Sequence, residues 1–379
     1  MGQRELTHPV DVAVIGGGVI GCSCALFLAE LGFEVTLIER QGLCMSASGM
    51  NAGTLAALWA RPAMVPYAKS GIDHWKEFSR SFGVECGFAQ PGGLKLAFLD
   101  HETGTLEDDL ARARSHNIDA QILSQREIEQ LEPAVAPNIV AALYSKVDGY
   151  VDPTRVSRVM PALLRSRGVE VRCGEAVVEI SGSGSAYTVT TSGSAIVASR
   201  IVLAGGLWNQ ELLSCLGLKL QVNARVSQML VTDRMRPVIR CVISSVSDVL
   251  SIKQVSNGTI LIGGGWQGQA DADRLRGEVV SGSIIGNLRL ANHAIPRLAE
   301  TRIVRSWVGM ESRVEDLRPV VGRIPGLANA FMIGAIHSGY TIGPFLAKLL
   351  ARMIGGLDVD LSPFEPARLI PEFPNNELV

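Results

Sequence analysis

The chain has 379 residues, of which 47% are hydrophobic and 19% charged, and its formal net charge is −2. This length predicts about two domains, the apolar content excludes a disordered chain, and the absence of a basic block argues against nucleic-acid and anionic-membrane partners. Seven cysteines without a C-x-x-C pair argue against a disulfide framework or a zinc site, so we expect a reducing, cytoplasmic location and no metal. We also expect neither a signal peptide nor a membrane span.

The first predicted element is a buried parallel strand over 12–15, because this run is short, apolar and rich in β-branched residues. Three glycines with the G-x-G-x-x-G spacing come next, namely Gly16, Gly18 and Gly21. The apolar pattern then predicts a helix that Gly32 ends, and a second strand over 33–38 leads into Glu39. This order of strand, glycine turn, helix, strand and acid is typical of a dinucleotide-binding Rossmann unit, whereas a glycine-rich loop alone would merely turn the chain.

Each part of this unit has a mechanical reason. The first glycine forms the tight turn, the second admits the pyrophosphate, and the third lets helix and strand pack closely. The pyrophosphate lies on free N–H groups at the helix N-terminus. Glu39 is placed to accept hydrogen bonds from a ribose and disfavours a 2′-phosphate, a point that the neighbouring Arg40 slightly weakens.

Three later segments favour FAD over NAD. The segment 46–53 is small and polar, which suits a loop that crosses a long cofactor closely. The segment 200–206 reads as a buried strand that ends in a glycine pair. The segment 332–354 runs from a strand through glycines into an apolar helix, for whose first turn Pro344 is suited. The positive end of that helix would stabilise negative charge on a reduced flavin.

On these features the sequence resembles the D-amino-acid-oxidase-like FAD-dependent oxidoreductases, a family that includes glycine oxidase, sarcosine oxidase and D-amino-acid dehydrogenase. The resemblance spans nearly the whole chain and also rests on the segments 148–153, 204–217 and 334–344, and on Pro319, Gly322 and Pro325. It implies a mixed α/β (α+β) fold in which a Rossmann-type FAD-binding domain is interleaved with an antiparallel-sheet substrate domain. The FAD domain would comprise 1–85, 145–222 and 305–370, and the substrate domain 86–144 and 223–304, with 371–379 as a tail.

Local signals place further elements. Helices are predicted over 104–117, 153–168 and 275–294, the second with Asp152 as its N-cap. The Asn257–Gly258 pair predicts a hairpin over 247–266, and the glycine- and serine-rich 182–185 predicts a hairpin turn.

The residues expected to contact FAD lie in the glycine turn, the following acid and arginine, the small polar loop, the later strand ends and the last helix. They are Gly16, Gly18, Val19, Ile20, Gly21, Glu39, Arg40, Ser46, Ser48, Asn51, Ala52, Gly53, Val177, Ala204, Gly205, Gly206, Trp208, Gly309, His337, Ser338, Gly339, Tyr340 and Thr341. The resemblance implies that Tyr340 and Thr341 present backbone groups to the flavin pyrimidine edge.

Three departures from the family pattern concern the substrate side. Stand-alone sarcosine oxidases attach flavin to a cysteine where this chain has Gly309, so we expect non-covalent FAD. Glycine oxidase and D-amino-acid dehydrogenase grip the substrate carboxylate with an arginine five residues before an aspartate. Here Asp316 matches the aspartate and Glu311 replaces the arginine. A lysine that promotes reaction with oxygen in sarcosine oxidases is replaced by Leu261, and Lys253 lies upstream.

The candidate catalytic and substrate-binding residues are Glu311, His337, Arg61, Arg313 and Trp307. Glu311 suits a cationic group, such as the guanidinium of an arginine-derived opine, because an anion cannot hold a carboxylate. Arg61 and Arg313 are rival carboxylate anchors, and the alternative for Arg61 is a solvated or salt-bridged arginine. His337 would line the flavin or substrate pocket, or else hydrogen-bond the backbone at a turn. Trp307 would face the pocket or pack in the core.

Together the departures resemble the FAD-bearing β-type subunit of multi-subunit dehydrogenases for secondary amino acids, such as opine oxidase and hydroxyproline dehydrogenase. This implies hydride transfer from a small amine or amino acid to FAD. Electrons would leave through α-type and small iron–sulfur subunits, which would carry FMN or an iron–sulfur centre. Two alternatives stay open: a stand-alone glycine- or D-amino-acid-oxidase-like enzyme that uses O2, and an FAD-binding assembly or electron-transfer subunit without substrate turnover.

Overall fold

The computed structural model describes residues 9–271 and 276–371. In chain order, the strands of these residues are β1 (Val10–Ile15), β2 (Val35–Glu39), β3 (Thr54–Leu55), β4 (Gly93–Ala97), β5 (Ala120–Ser124), β6 (Ala141–Ser145), β7 (Gly149–Tyr150), β8 (Glu170–Cys173), β9 (Val177–Ser183), β10 (Ala186–Thr191), β11 (Ala195–Leu203), β12 (Asn223–Thr232), β13 (Val242–Ser245), β14 (Leu250–Gln254), β15 (Ile260–Gln267), β16 (Gln269–Asp271), β17 (Arg276–Glu278), β18 (Ile303–Arg313), β19 (Val320–Arg323) and β20 (Ala330–Gly334). The α-helices are α1 (Val19–Glu30), α2 (Ala47–Met50), α3 (Val65–Phe82), α4 (Thr103–Ser115), α5 (Gln125–Leu131), α6 (Pro153–Ser166), α7 (Asn209–Cys215), α8 (Ser281–Ala294) and α9 (Gly339–Ile354).

The chain divides into two compact units, and each is built from separate stretches of sequence. The first unit comprises Met1–Gly49, Thr154–Arg225 and Glu311–Val379, and the second comprises Met50–Pro153 and Val226–Met310. This interleaving agrees with the mixed α/β class that the sequence predicts. Among the described residues, no helix is both long and apolar enough to cross a membrane.

The first unit contains an eight-stranded sheet in the order β19-β20-β11-β1-β2-β8, with β10 and β9 added beside β11. β1 pairs in parallel with β2 and β11, β11 with β20, and β2 with β8. The edge strand β19 runs antiparallel to β20. The inner strands are buried along most of their length, as expected for a parallel sheet that is covered on both faces.

Close contact between the first and last helices shapes the core of this unit. α1 is buried over most of its length, and its cysteines Cys22 and Cys24 are fully buried packing residues. A Cβ on Gly343 of α9 would lie 2.7 Å from the side chain of Ile20 on α1. Glycine at this position therefore lets the first turns of the two helices pack side by side.

The second unit is built around an eight-stranded sheet in the order β18-β12-β15-β14-β13-β4-β6-β5. Most of its described pairs are antiparallel, and β13 and β4 form a parallel pair. Side chains of this sheet, of α5 and of α8 share one apolar core. β3 and β7 form a separate two-stranded ribbon.

Several predicted elements are confirmed. β1, α1 and β2 follow in the predicted order, and Gly32 after α1 has a φ of 87°, in the left-handed region that favours glycine. β14 and β15 form the hairpin predicted around Asn257–Gly258, and β9 and β10 form the hairpin predicted around 182–185.

Other predictions differ from the structure. The helix predicted from 275 begins at Ser281, because 276–278 pairs as β17 with β16; residues 272–275 lie outside the described part of the chain. Pro344 was assigned to the first turn of a helix but lies inside α9, which begins five residues earlier at Gly339.

The predicted domain limits also differ from the two units. Residues 50–85 and 145–153 belong to the second unit by their contacts, partly because β3 pairs with β7. The predicted tail, 371–379, lies outside the described part of the chain from residue 372 onward. The functions assigned to the two domains stay predictions.

Candidate functional site

The carboxyl ends of four parallel strands meet at one edge of the sheet in the first unit. β1 and β2 end at Ile15 and Glu39, whereas β11 and β20 end at Leu203 and Gly334. The chain passes from β1 to β2 on one side, and β11 lies on the other side of β1, so the strand order reverses at β1. Ligands of open parallel sheets bind outside the carboxyl ends at such a reversal. This edge is therefore the candidate site.

The three glycines after β1 are required for different reasons. Gly16 has a φ of 113°, and a Cβ there would meet the carbonyl oxygen of Ala204. A Cβ on Gly21 would meet the carbonyl oxygen of Gly16, so this glycine lets α1 approach β1. Gly18 has an ordinary φ of −66°, and its Cβ would lie 3.2 Å from the hydroxyl of Ser48. The fold thus requires Gly16 and Gly21, whereas Gly18 keeps a side chain away from the first turn of α1, where backbone N–H groups are available to an anion.

Glu39 and Ser48 hold the glycine turn in place. One carboxylate oxygen of Glu39 accepts the N–H of Gly17 at 2.6 Å, and the other accepts the N–H of Gln41 at 2.8 Å. The Ser48 hydroxyl accepts the N–H of Val19 at 2.9 Å. α1 has no acidic residue in its first turn, so the positive end of its dipole suits an anion. The carboxylate predicted to meet a ribose therefore lies at the turn, and its oxygens keep lone pairs for a hydroxyl.

Arg40 and Trp208 form a cation–π pair near the same edge. The guanidinium carbon of Arg40 lies 3.5 Å from the Trp208 ring centroid, and burial lowers the pKa of Arg40. Asn209, which was not among the predicted site residues, is buried beside Trp208. Its side chain accepts the N–H of Gly205 at 2.7 Å and donates to the carbonyl of Ile333 at 3.2 Å. A polar residue three positions after the glycine pair thus ties the end of β11 to β20.

Backbone groups of the loop over 46–53 and of the segment before β9 are held by hydrogen bonds. The Asn51 side chain accepts the N–H of Gly53 at 2.7 Å, and the Gly53 carbonyl accepts the N–H of Val151 at 2.9 Å. The N–H of Gly53, one of the residues expected to contact FAD, therefore already donates to Asn51. Val177 follows a short segment whose Glu175 N–H donates to the Glu39 carbonyl at 3.1 Å.

The turn from β20 into α9 is strained. Ala335 and Ser338 have φ values of 54° and 61°, in the left-handed region that non-glycine residues seldom occupy. These two residues flank His337, and such strain is often kept at functional sites. In the first turn of α9, Tyr340 is buried and its hydroxyl donates to the Ser48 carbonyl at 3.1 Å. The Ser48 hydroxyl accepts the N–H of Val19 in α1, so Ser48 joins the first turn of α1 to the first turn of α9. Gly339 begins α9, and Thr341 is buried in the same turn.

His337 lies between a carboxylate and a guanidinium. Its Nδ1 is 3.0 Å from Oε2 of Glu311, and its Nε2 is 3.4 Å from Nη1 of Arg225. Arginine can only donate, so Nε2 accepts and Nδ1 carries the hydrogen that is donated to Glu311. The structure therefore brings two predicted site residues together and adds Arg225, which the sequence patterns did not single out. Glu311, which was expected to bind a cationic substrate group, has a partner within the chain.

The other predicted substrate-side residues lie elsewhere in their units. Trp307 donates from its indole nitrogen to the Met50 carbonyl at 2.8 Å, and a Cβ on Gly309 would lie 3.0 Å from the Met50 side chain. Arg313 is half-buried at the end of β18. Arg61 precedes a short 3-10 helix over Pro62–Met64.

Lys253 on β14 is a fully buried cation of the second unit, to which the sequence assigned no role. Its ammonium donates to the carbonyl of Ala52 and to the hydroxyl of Thr54, the latter at 3.2 Å, and lies 5.0 Å from the Tyr150 ring centroid. Burial lowers the pKa of Lys253 to about 7, and the charge of Asp152 opposes this shift. Lys253 therefore fixes the end of the 46–53 loop and the residue that follows it, Thr54.

Asp148 is a buried carboxyl group of the same unit. It accepts the N–H of Ala57 at 2.9 Å. Burial raises the pKa of Asp148 to about 7, although hydrogen bonds from Ala57, Leu58 and Ser145 oppose the shift. Its place in the DGYVDP segment, on which the family resemblance partly rests, is the signal that marks this residue in the sequence.

Comparison with known proteins covers nearly the whole chain. A family model described as "FAD dependent oxidoreductase" (DAO) matches residues 11–353. The B subunit of opine oxidase from Rhizobium meliloti is 24% identical over 382 residues, which cover 95% of this chain and 98% of that protein. Glycine oxidase of Geobacillus kaustophilus is 26% identical over 376 residues, which cover 96% of this chain and 98% of that protein. The crystal structure of glycine oxidase from Geobacillus kaustophilus is similar with a TM-score of 0.87 at 25% identity, and covers 95% of this chain and 98% of that chain.

Proposed function

We infer the function from one premise: this chain belongs to the DAO family of FAD-dependent oxidoreductases, and FAD is its cofactor. We propose that it oxidises the carbon–nitrogen bond of a small secondary amine or amino acid, of the opine or imino-acid kind. The observation that carries this proposal is the similarity to the B subunit of opine oxidase, which extends over 95% of this chain and 98% of that protein.

The cofactor-binding residues are part of the proposal. The pyrophosphate would lie above Gly18 at the N-terminus of α1, where a missing side chain leaves room and the helix dipole favours an anion. Glu39 would accept hydroxyl groups of the adenosine ribose, and the Arg40–Trp208 pair would border the adenosine. The N-terminus of α9 would face the flavin. The FAD is held without a covalent bond, so acid denaturation should release all of it.

When bound, FAD would supply the acceptor for the hydride that leaves the carbon beside the substrate nitrogen. The protein binds and orients the amine in its unprotonated form, because the nitrogen lone pair must be available when the hydride leaves. His337 is kept in one tautomer by Glu311 at Nδ1 and by Arg225 at Nε2. Positive charge from Arg225 and from the N-terminus of α9 favours anionic groups at this end of the sheet.

We propose that the electrons then pass to partner subunits that hold FMN or an iron–sulfur centre, in the cytoplasm. The opine oxidase relative is by its name one subunit of an assembly, which supports this arrangement. The residue at the place of the oxygen-activating lysine is also apolar. Leu261 on β15 occupies that position and pairs with Lys253 on the neighbouring strand β14. The ammonium of Lys253 donates to Ala52 and Thr54.

The test is anaerobic reduction of the purified FAD-loaded chain with opines, sarcosine, proline, hydroxyproline, glycine and D-amino acids. We expect one opine or imino acid to bleach the flavin absorbance. When air is admitted, the colour should return slowly and with little hydrogen peroxide, whereas an artificial dye should restore it quickly. If none of the compounds bleaches the flavin, this chain is not the amine-oxidising enzyme that we propose.

A second candidate is a stand-alone oxidase, favoured by the similarity to glycine oxidase at 26% identity over nearly the full length of both chains. The same experiment separates the two candidates. Rapid recovery of the colour in air, with one hydrogen peroxide formed for each substrate oxidised, would identify oxygen as the acceptor and remove the need for partner subunits.

A further inference from the structure

Arg225 carries a guanidinium with a buried donor that finds no acceptor in the described part of the chain. The side chain is half-buried near the start of β12, and Nη1 donates to Nε2 of His337 at 3.4 Å. Its Nε atom is buried and has no acceptor among residues 9–271 and 276–371. A guanidinium has five N–H donors and keeps its charge in proteins. Among the described residues, the long hydrogen bond to the His337 imidazole does not satisfy these donors and brings no negative charge to the guanidinium.

The hydrogen bond described for Glu311 joins it to the other nitrogen of the His337 imidazole and not to the Arg225 guanidinium. Its Oε2 lies 3.0 Å from Nδ1 of His337, and its side chain is 18% exposed. By accepting the Nδ1 hydrogen, Glu311 leaves Nε2 as an acceptor and so orients His337 toward Arg225. The acid therefore positions the arginine through the histidine.

The surroundings of Arg225 favour an anion. His337 precedes Ser338, the N-cap of α9, and this 16-residue helix has no acidic residue in its first turn. The N-terminus of α9 therefore follows His337 directly along the chain, and the guanidinium of Arg225 contacts the same residue. A carboxylate, with two oxygens in a plane, can accept two guanidinium N–H groups at once.

We propose that Arg225 binds the carboxylate of the amino-acid substrate, with His337 and Glu311 as positioning residues. This inference rests on the proposed function, which supplies the amine-bearing substrate. It also accounts for Glu311, which stands where related enzymes are expected to carry an arginine. β12, which carries Arg225, and β18, which carries Glu311, are neighbours in one sheet. The arginine of this chain therefore lies one strand away from the position of the arginine in related enzymes. Glu311 occupies that position and holds His337, which orients Arg225.

The experiment measures ligand binding in place of turnover. The FAD-loaded protein is titrated with pyrrole-2-carboxylate, a planar imino-acid analogue that cannot be oxidised in the same way, and with its carboxamide, and the flavin spectrum reports the Kd. The variants are Arg225→Met, Arg225→Lys and His337→Asn. Arg323→Met is the matched control, because Arg323 is an exposed arginine on β19 of the same unit.

We expect Arg225→Met to raise the Kd of the carboxylate about 10- to 100-fold, as loss of a charged bidentate hydrogen bond predicts. Arg225→Lys and His337→Asn should give smaller increases, and the Kd of the carboxamide should not change in any variant. Arg225→Lys keeps the charge and serves as the test if the methionine variant does not retain FAD.

An unchanged Kd of the carboxylate in both arginine variants would overturn the inference, and so would equal losses for carboxylate and carboxamide. If Arg225→Met alters the reduction potential of the flavin but not the Kd, the arginine serves the cofactor and the inference is wrong. Failure of the wild-type spectrum to respond to pyrrole-2-carboxylate also overturns it. The proposed function fails separately, when wild-type protein is not reduced by any amine.

Discussion

Lys253 and Asp148 hold the two ends of one short segment, residues 52–57. The Lys253 ammonium donates to Ala52 near its start, and the Asp148 carboxyl group accepts the N–H of Ala57 at its end. Both side chains are buried, and burial moves the pKa of each to about 7, from opposite directions. Stability should therefore depend on pH near neutrality in two opposing ways.

Lys253→Met should remove a rise in stability with pH. The unfolded chain keeps the lysine proton up to about pH 10.5, whereas the folded chain releases it near pH 7. Between these values the unfolded state binds more protons, so the free energy of unfolding rises with pH by at most about 1.4 kcal/mol per unit. Urea unfolding at pH 7, 8 and 9 should show this slope in wild type but not in Lys253→Met. Lys69→Met, at a more exposed lysine on α3, is the control. Equal slopes in wild type and Lys253→Met would show that Lys253 stays charged in the fold.

Asp148→Asn should remove the opposite dependence. The unfolded carboxyl group ionises near pH 3.8 and the folded one near pH 7, so the folded state binds more protons between these values and loses stability as pH rises. Asparagine keeps an oxygen for the Ala57 N–H and cannot ionise. We expect the variant to be more stable than wild type at pH 8 by a margin that exceeds the margin at pH 5 by about 1 kcal/mol or more, because wild type loses stability from about pH 3.8 upward. Asp119→Asn, at an exposed ion pair with Lys146, should not show this gain. A variant that is less stable than wild type at both pH values would contradict the prediction.

Gly18→Ala should weaken FAD binding without unfolding the chain. The backbone at Gly18 is ordinary for any residue, and its Cβ would approach the Ser48 hydroxyl at 3.2 Å. The added methyl group would instead occupy the room assigned to the pyrophosphate. Equilibrium dialysis should show a Kd for FAD raised at least about tenfold, which is about 1.4 kcal/mol, with an unchanged far-ultraviolet circular dichroism spectrum of the apoprotein. Gly104→Ala, on an exposed face of α4 with open space around it, should bind FAD normally. Normal affinity of Gly18→Ala would move the pyrophosphate elsewhere.

Glu311→Gln distinguishes two roles of this acid. If Glu311 pairs with a substrate guanidinium, as the sequence alone suggests, the loss should be confined to arginine-derived opines. Because its Oε2 is engaged by His337, we expect kcat/KM to fall about tenfold or more for every carboxylate substrate, with or without a guanidinium. The comparison needs octopine beside proline or sarcosine. A loss specific to octopine would restore the first role, and no loss with either class would remove both.

Parts of the site that depend on neighbouring residues could be predicted from the sequence. The glycine turn, α1 and Glu39 lie within one continuous stretch, and their spacing along it is enough to predict a Rossmann unit. The hairpin at Asn257–Gly258 follows from the same kind of local signal. In each case the physical cause lies within a few residues of its effect.

The remaining features depend on contacts between distant segments. Arg225, Glu311 and His337 come from three separate stretches, and periodicity does not show that they meet. Lys253 was noticed only as a displaced lysine, because its partners Ala52 and Thr54 are about 200 residues away. The segment 50–85 was placed in the first domain for a related reason, since the pairing of β3 with β7 is a long-range contact.

The interleaved chain has a consequence for how the protein is made. The edge of the sheet that carries the glycine turn needs β20 beside β11 and α9 against α1, yet both elements lie near the C-terminal end of the chain. On the ribosome, β1 and α1 emerge long before β20 and α9 and must wait for them. Until β20 is made, the apolar strand β11 has unpaired backbone groups along one side, and such exposed strands promote aggregation. A nascent chain stalled before residue 330 should therefore hold no flavin and should depend on chaperones, however complete its Rossmann sequence is.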